Sequence, residues 1–164
     1  MRFYSITNMY LSDIQKGIQT AHAVAECSLT ENELYKEWAE KGKTIIVLNG
    51  GYVSNMKRIG EVIQNSSLDG VIFNESEEAL DGALTVLGLV VPERFYILGE
   101  YSRQGIVDSV QDEENEGIYN IVINEKLELP EESMKTLSKQ IESYGQYTET
   151  DLILINELNN LRLA

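Results

Sequence analysis

The chain of 164 residues contains one histidine, His22, and one cysteine, Cys27. With a single residue of each type, a zinc site lacks its ligands and an intramolecular disulfide lacks its partner. What remains for chemistry is acid–base and electrostatic work by an imidazole, carboxylates, ammonium groups and backbone amides. Three groups of residues have the types and spacing for it. Gln15, Gln19, His22 and Glu26 recur at helical spacing and form a polar row, with Lys16 beside it. Residues 74–81 form an acidic loop. Gly50 and Gly51 break an apolar run, where paired glycines let a phosphate approach the backbone. No Gly-Lys-Ser/Thr follows them, so they are not a P-loop, and a plain turn is the preferred reading. Spacing alone makes His22 more often a surface or half-buried residue than a catalyst.

The histidine row needs a helix, and residues 12–28 provide one. Ser12 with Gln15 three residues on is a capping box, and Asp13 suits the positive end of the helix dipole. Ile14, Ile18, Ala21 and Ala25 recur as an apolar stripe expected to pack, with Gly17 beside it allowing a close approach to a sheet. Residues 2–7 read as the strand before this helix. After it, Thr30 with Glu33 reads as a second capping box. That box opens a short helix through Leu34, Tyr35 and Trp38, which Gly42 stops. Residues 43–48 read as a buried central strand. Ser54 is expected to cap a helix carrying Met56, Ile59, Val62 and Ile63. Residues 68–73 and 84–91 read as strands, joined by a loop too short for a helical crossover and therefore antiparallel.

This order implies an α/β fold: a small four-stranded mixed sheet with helices on both faces, within residues 1–98. Residues 99–164 form an acidic α+β extension, either packed on the first domain or separate. In and around it, residues 95–98 read as an edge strand or tether, and Asp108 to Glu116 as a solvated helix end or loop. Residues 118–123 read as a strand. Residues 130–145 form a helix with Met134, Leu137, Ile141 and Tyr144 on one face, and residues 152–163 are a last apolar segment that reads as a helix, or over 152–155 equally as a strand.

The net charge of −14 opposes a generic grip on nucleic acid, which needs Lys and Arg to displace phosphate counterions. It favours solubility, or binding to a basic partner surface. The excess is concentrated late, with residues 95–164 carrying 5 basic and 14 acidic side chains. No apolar run approaches membrane-spanning length, and residues 1–7 lack a signal-peptide core. The expectation is a cytoplasmic protein with no membrane partner, in the host cytoplasm if the gene is viral. A homodimer through residues 99–164 is one role open to the extension.

Three patches carry a family likeness. The first is the N-terminal strand followed by a helix through Gln19-Thr20-Ala21-His22-Ala23. The second is Trp38 to Leu48, Trp-Ala-Glu-Lys-Gly-Lys-Thr-Ile-Ile-Val-Leu. The third is Asp81-Gly82-Ala83-Leu84-Thr85-Val86-Leu87-Gly88. In their order these resemble the type 2 peptidyl-tRNA hydrolase family: its small-residue-rich Gln-x-x-His-Ala helix, its second helix and central strand, and its Pro-Gly-Thr-x-Thr-Val-Leu-Ala strand. The likeness covers a little over half the chain.

It implies that fold, peptidyl-tRNA as substrate, cleavage of its ester, and no cofactor or metal. In the family a lysine opening the first helix, the helix histidine, a loop aspartate after the third strand and nearby threonines are tied to the reaction. Matched residue by residue, the histidine falls on His22 and a strand threonine on Thr85. The lysine position holds Gln15, with Lys16 one residue later. The aspartate position falls near Phe73, or loosely on Glu75 or Glu77, and the family's Asp-Ala-Gly motif is absent. The implied site is His22 as base or orienter, Glu75 or Glu77 as its partner, Lys16 as electrophile and Thr85 beside them. Gln15, Gln19, Gly50 and Gly51 would stand near substrate. The alternative expectation is a catalytically inactive, acidic binding or regulatory protein on the same scaffold, such as a phage protein acting on a host partner.

Overall fold

The computed structural model describes residues 1–164. The chain divides into two compact units, Met1–Glu93 together with Asn160–Ala164, and Arg94–Asn159. The boundary expected after residue 98 falls inside a helix, α5 (Glu93–Arg103). No helix is long and apolar enough to cross a membrane.

Unit 1 is an α/β sandwich around a mixed five-stranded sheet, ordered β3-β4-β1-β2-β8. Its strands are β1 (Arg2–Thr7), β2 (Ile45–Asn49), β3 (Gly70–Asn74), β4 (Leu84–Val91) and β8 (Arg162–Leu163). β1 runs parallel to β2 and antiparallel to β4, and β3–β4 is antiparallel as its short connection requires. The sheet expected with four strands gains a fifth, because residues 162–163 return to pair with Leu48 and Asn49. β4 is buried along its whole length and β1 along nearly all of it. β2, expected to be the buried central strand, is instead next to the edge and only partly covered.

Helices cover both faces. On one, α1 (Asp13–Ser28) lies so close that a Cβ on Gly88 would stand 2.8 Å from Phe3 and 2.9 Å from Ala23. The core here is Phe3, Ala23, Cys27, Trp38, Val86 and Val90. On the other face, α3 (Val53–Asn65) buries Met56, Ile59 and Ile63, and Gly60 packs beside Ile72 and Leu87.

Ser12 and Gln15 form the reciprocal capping box that their spacing predicts. The face that α1 buries is a different one from the aliphatic stripe. Gln19, Thr20, Ala23 and Cys27 are buried, while Ile14 is 78% and Ile18 50% exposed. Ala21 and Ala25 are exposed as well, and Gly17 faces open space. Backbone proximity decides the matter: only small or polar-paired side chains fit between α1 and the sheet, and the bulky isoleucines do not.

Caps differ too. Asn32, not Thr30, caps α2 (Glu33–Glu37), and Thr30 turns its hydroxyl to the Cys27 carbonyl. Tyr52, not Ser54, is the N-cap of α3, and its side chain makes no capping bond. A π-helical turn, Trp38–Gly42, follows α2, and Lys43 rather than Gly42 takes the left-handed conformation that ends it (φ 56°). Within the acidic run, Ser76 caps a short helix, α4 (Glu77–Leu80).

Unit 2 has a three-stranded antiparallel sheet, β5 (Val107–Gln111), β6 (Ile118–Ile123) and β7 (Tyr147–Thr148). With it go α5, α6 (Glu131–Tyr144) and α7 (Glu149–Asn160). Residues 95–98, expected as a strand or tether, belong to α5, whose Phe95 and Leu98 are buried. The acidic stretch expected as a helix end or loop is part strand β5 and part turn. Phe95 meets Tyr147 edge-on, at 5.7 Å between ring centroids, and the Arg94 guanidinium lies over both rings. Burial pushes the Tyr147 phenol up to about 12, against the opposing pull of Arg94.

Two glycine substitutions test this packing by chemical denaturation. Gly88→Val is expected to destabilise by roughly 3 kcal/mol, because Phe3 and Ala23 leave its side chain no room. Gly17→Ala is expected to stabilise by about 0.8 kcal/mol, since the helix gains propensity and nothing is crowded.

Candidate functional site

The site is built where α1 crosses the ends of β3 and β4. The β3–β4 register pairs Phe73 with Val86 and Asn74 with Leu84, which leaves Thr85 as the extra residue of a bulge in β4. A bulge re-aims a side chain. Val86 packs in the core beneath α1, and Thr85 turns toward the same helix instead of alternating away from it.

The result is a hydrogen-bonded line across three elements. The Thr85 hydroxyl donates to Gln19 Oε1 at 2.7 Å, and Gln19 Nε2 donates to the Glu75 carboxylate at 2.5 Å. Thr85 is 1% and Gln19 4% exposed, so the line runs from the interior out to a half-buried carboxylate. At the next position of α1, Thr20 shares a 2.7 Å hydrogen bond with Ser5 on β1 and donates to the Lys16 carbonyl. Each of these buried polar atoms has a partner, as a low-dielectric interior demands.

The remaining expected residues are distributed around this line. In an α-helix, residues three positions before and after Gln19 lie about 60° to either side of it. Those residues are Lys16 and His22. The Lys16 side chain is 16% exposed, and its ammonium stands 3.3 Å from Asp13. His22 is exposed and lies flat on the Phe73 ring, 4.8 Å between centroids and 9° between planes. A ring stack holds it, rather than a hydrogen bond to a carboxylate. Gln15 is exposed and spends its side chain on the Ser12 amide. Glu77 is exposed in the first turn of α4 and takes no part in the line, so Glu75 is the carboxylate that α1 engages.

Gly50 and Gly51 form a closed turn. The Gly50 amide donates to Thr7 and the Gly51 amide to Asn49 Oδ1 at 2.8 Å, so neither is left for an anion. Glycine is required at both for structural reasons. A Cβ on Gly50 would come within 2.8 Å of Ile6 and Met56, and Gly51 has φ +73°.

Several participants carry no chemical signature in sequence. Ser5 and Thr20 read as ordinary strand and helix residues. Asn8, 6% exposed, donates to the Leu84 carbonyl and accepts from the Tyr10 amide, fixing the loop after β1. That loop is also tied to the turn after β2, through the Met9 amide and the Gly51 carbonyl. Together they hold an exposed aromatic pair, Tyr10 and Tyr52, edge to face at 5.7 Å. Cys27 is 1% exposed, and burial, with Glu26 adding to it, pushes its thiol up to about 12.

Chemically, the arrangement offers a carboxylate fixed by an amide, with an accessible imidazole and a partly covered ammonium on the same helix. The Thr85 proton points at an amide oxygen and not at a base, so Thr85 is a positioning residue and not a nucleophile. No family model and no curated protein matches the chain.

Two measurements test this description. In a double-mutant cycle, Gln19→Ala and Thr85→Val should each destabilise by about 1–2 kcal/mol and show a coupling of about 1 kcal/mol. Cys27 should resist iodoacetamide at pH 8 until the protein unfolds, because its thiolate fraction is roughly a thousandfold below that of a free thiol.

Proposed function

We propose that unit 1 is an ester hydrolase of the peptidyl-tRNA type, with Glu75 and His22 supplying acid–base catalysis and Lys16 the positive charge. The observation that carries the reading is the Thr85–Gln19–Glu75 line. It spends a strand bulge and a buried glutamine on fixing one half-buried carboxylate beside the histidine helix. A core built only for stability has little use for such an arrangement, since apolar residues of similar shape serve it as well.

In this reading Glu75, oriented by Gln19, takes a proton from the attacking water. His22 returns a proton to the leaving ribose oxygen, and the Lys16 ammonium faces the developing oxyanion. The exposed Tyr10–Tyr52 pair offers a stacking surface to an unpaired base. A net charge of −14 leaves little cationic surface for a whole tRNA. Contact is therefore expected to be confined to the acyl-bearing 3′ end.

A second reading has its own observation. The aliphatic row Ile14 and Ile18 on α1 is exposed, and the chain is strongly acidic. Those features suit a binding protein without turnover whose partner is basic.

The test uses the full chain and end-labelled peptidyl-tRNA. Catalytic release of free tRNA is expected. Glu75→Gln should lower kcat about a hundredfold and His22→Ala at least about tenfold. Glu77→Gln should leave kcat unchanged. Absence of release by the unaltered protein, even at stoichiometric amounts, overturns the hydrolase reading. Salt-sensitive binding of a lysine-rich peptide, in the same absence of turnover, selects the second.

A further inference from the structure

A recess of about 650 Å³ opens in unit 2 between α5, α6 and the segment leading from β6 into α6. Its volume is that of a small-molecule site. Ile106, Leu127, Leu129 and Leu137 give it an apolar lining, and Leu129 is 42% exposed with no side chain seated over it. The polar lining is sparse and ordered. The Tyr101 hydroxyl donates to Gln140 Oε1 at 2.8 Å, and the Gln140 amide donates to the Tyr144 hydroxyl at 2.8 Å. Ser133 and Thr136 add hydroxyls from the same face of α6, and Thr136 donates back to the Glu132 carbonyl.

One lining residue is charged, Glu132, and it is an acid. No lysine or arginine lines the recess. The neighbouring Glu131 is already paired with Lys135 at 2.8 Å, whereas Glu132 turns to the recess rim. The surroundings have the same sign, since residues 94–159 carry 5 basic and 14 acidic side chains.

We infer that this recess binds a small organic amine, with its apolar body on the leucine and isoleucine lining and its ammonium against Glu132. The apolar lining gives affinity without direction, and the single carboxylate selects the sign of the ligand's charge. Tyr101 contributes an aromatic surface, which attracts cations in preference to anions. Glu132 also lies in the first turn of α6, where the helix dipole is positive. That end would repel an ammonium if the carboxylate were lost. The selectivity therefore depends on this one side chain, in a unit separate from the Glu75 line.

Three matched probes test the inference on the full chain: 4-phenylbutylamine, 4-phenylbutanol and 4-phenylbutyrate, titrated while backbone amide shifts are followed by NMR. The amine is expected to bind at least about tenfold more tightly than the butyrate, with the alcohol between them. Shifts should be confined to residues around 101–106 and 127–140. Glu132→Gln, an exposed substitution that leaves the core intact, should abolish the preference for the amine while retaining the alcohol. Leu137→Asn should weaken all three. Equal affinity for amine and butyrate, an unchanged preference in Glu132→Gln, shifts located elsewhere, or no binding of the amine would each overturn it.

Discussion

The contact of Ala23 with Gly88 brings the axis of α1 close enough to the sheet that a single added methyl on the strand would collide. That separation decides which residues the helix can bury. Below Ala23 the gap closes over Cys27, Phe3 and Val86, and apolar packing suffices. Above it, the same approach carries Gln19 and Thr20 into the sheet, where each must find a hydrogen-bond partner or forfeit a few kcal/mol. Ser5 meets one and Thr85 the other. The bulge in β4 is thus the geometric counterpart of the tight helix contact, since a regular strand would turn Thr85 to the opposite face.

The two units divide the electrostatic character of the chain. Unit 1 holds three of its cations in local pairs, Lys16 with Asp13, Lys36 with Glu33 and Lys41 with Glu37, each three or four residues apart. Such local surface pairs contribute little stability and leave little net field to attract a polyanion. Unit 2 is more acidic, and its Asp112 carboxylate accepts several hydrogen bonds. Asp112 accepts from Gln146 as well as from Asn120, Asn115 and two backbone amides, and the hydrogen bonds from Asn120, Asn115 and the Glu114 and Asn115 amides hold it below the usual carboxylate range. Its depressed value means that this contribution to stability is present above the ordinary carboxylate range and is lost as pH falls through its own titration.

Elements with strong periodicity or punctuation were legible in the sequence. β1, β4 and β6 follow their apolar and β-branched runs, and α6 ends at Gly145 as its glycine signals. The capping box at Ser12 and the antiparallel β3–β4 pair were legible for the same local reasons. The buried face of α1 was not. Periodicity alone favours Ile14 and Ile18, but tertiary distance admits Gln19 and Thr20 in their place. The start of α5 was read as an edge strand or a tether because Phe95 to Leu98 is a short apolar run, which periodicity cannot assign between strand and helix. In the candidate site, His22 stood out by its type, whereas Lys16, Glu75 and Thr85 were reached only through the family resemblance. Glu75 could not be separated from Glu77, because the choice rests on a bulge that has no sequence signature. Asn8 and Ser5 act through long-range partners and gave no signal.

Residues 162–163 lie along β2 only after the whole of unit 2 has intervened in the chain. While a ribosome is still making residues 94–159, the outer side of β2 around Leu48 and Asn49 therefore has no strand beside it. An unshielded strand edge is a template for pairing with a neighbouring chain. Polysomes, where nascent copies are crowded together, are the setting in which that late closure leaves this fold most open to mispairing.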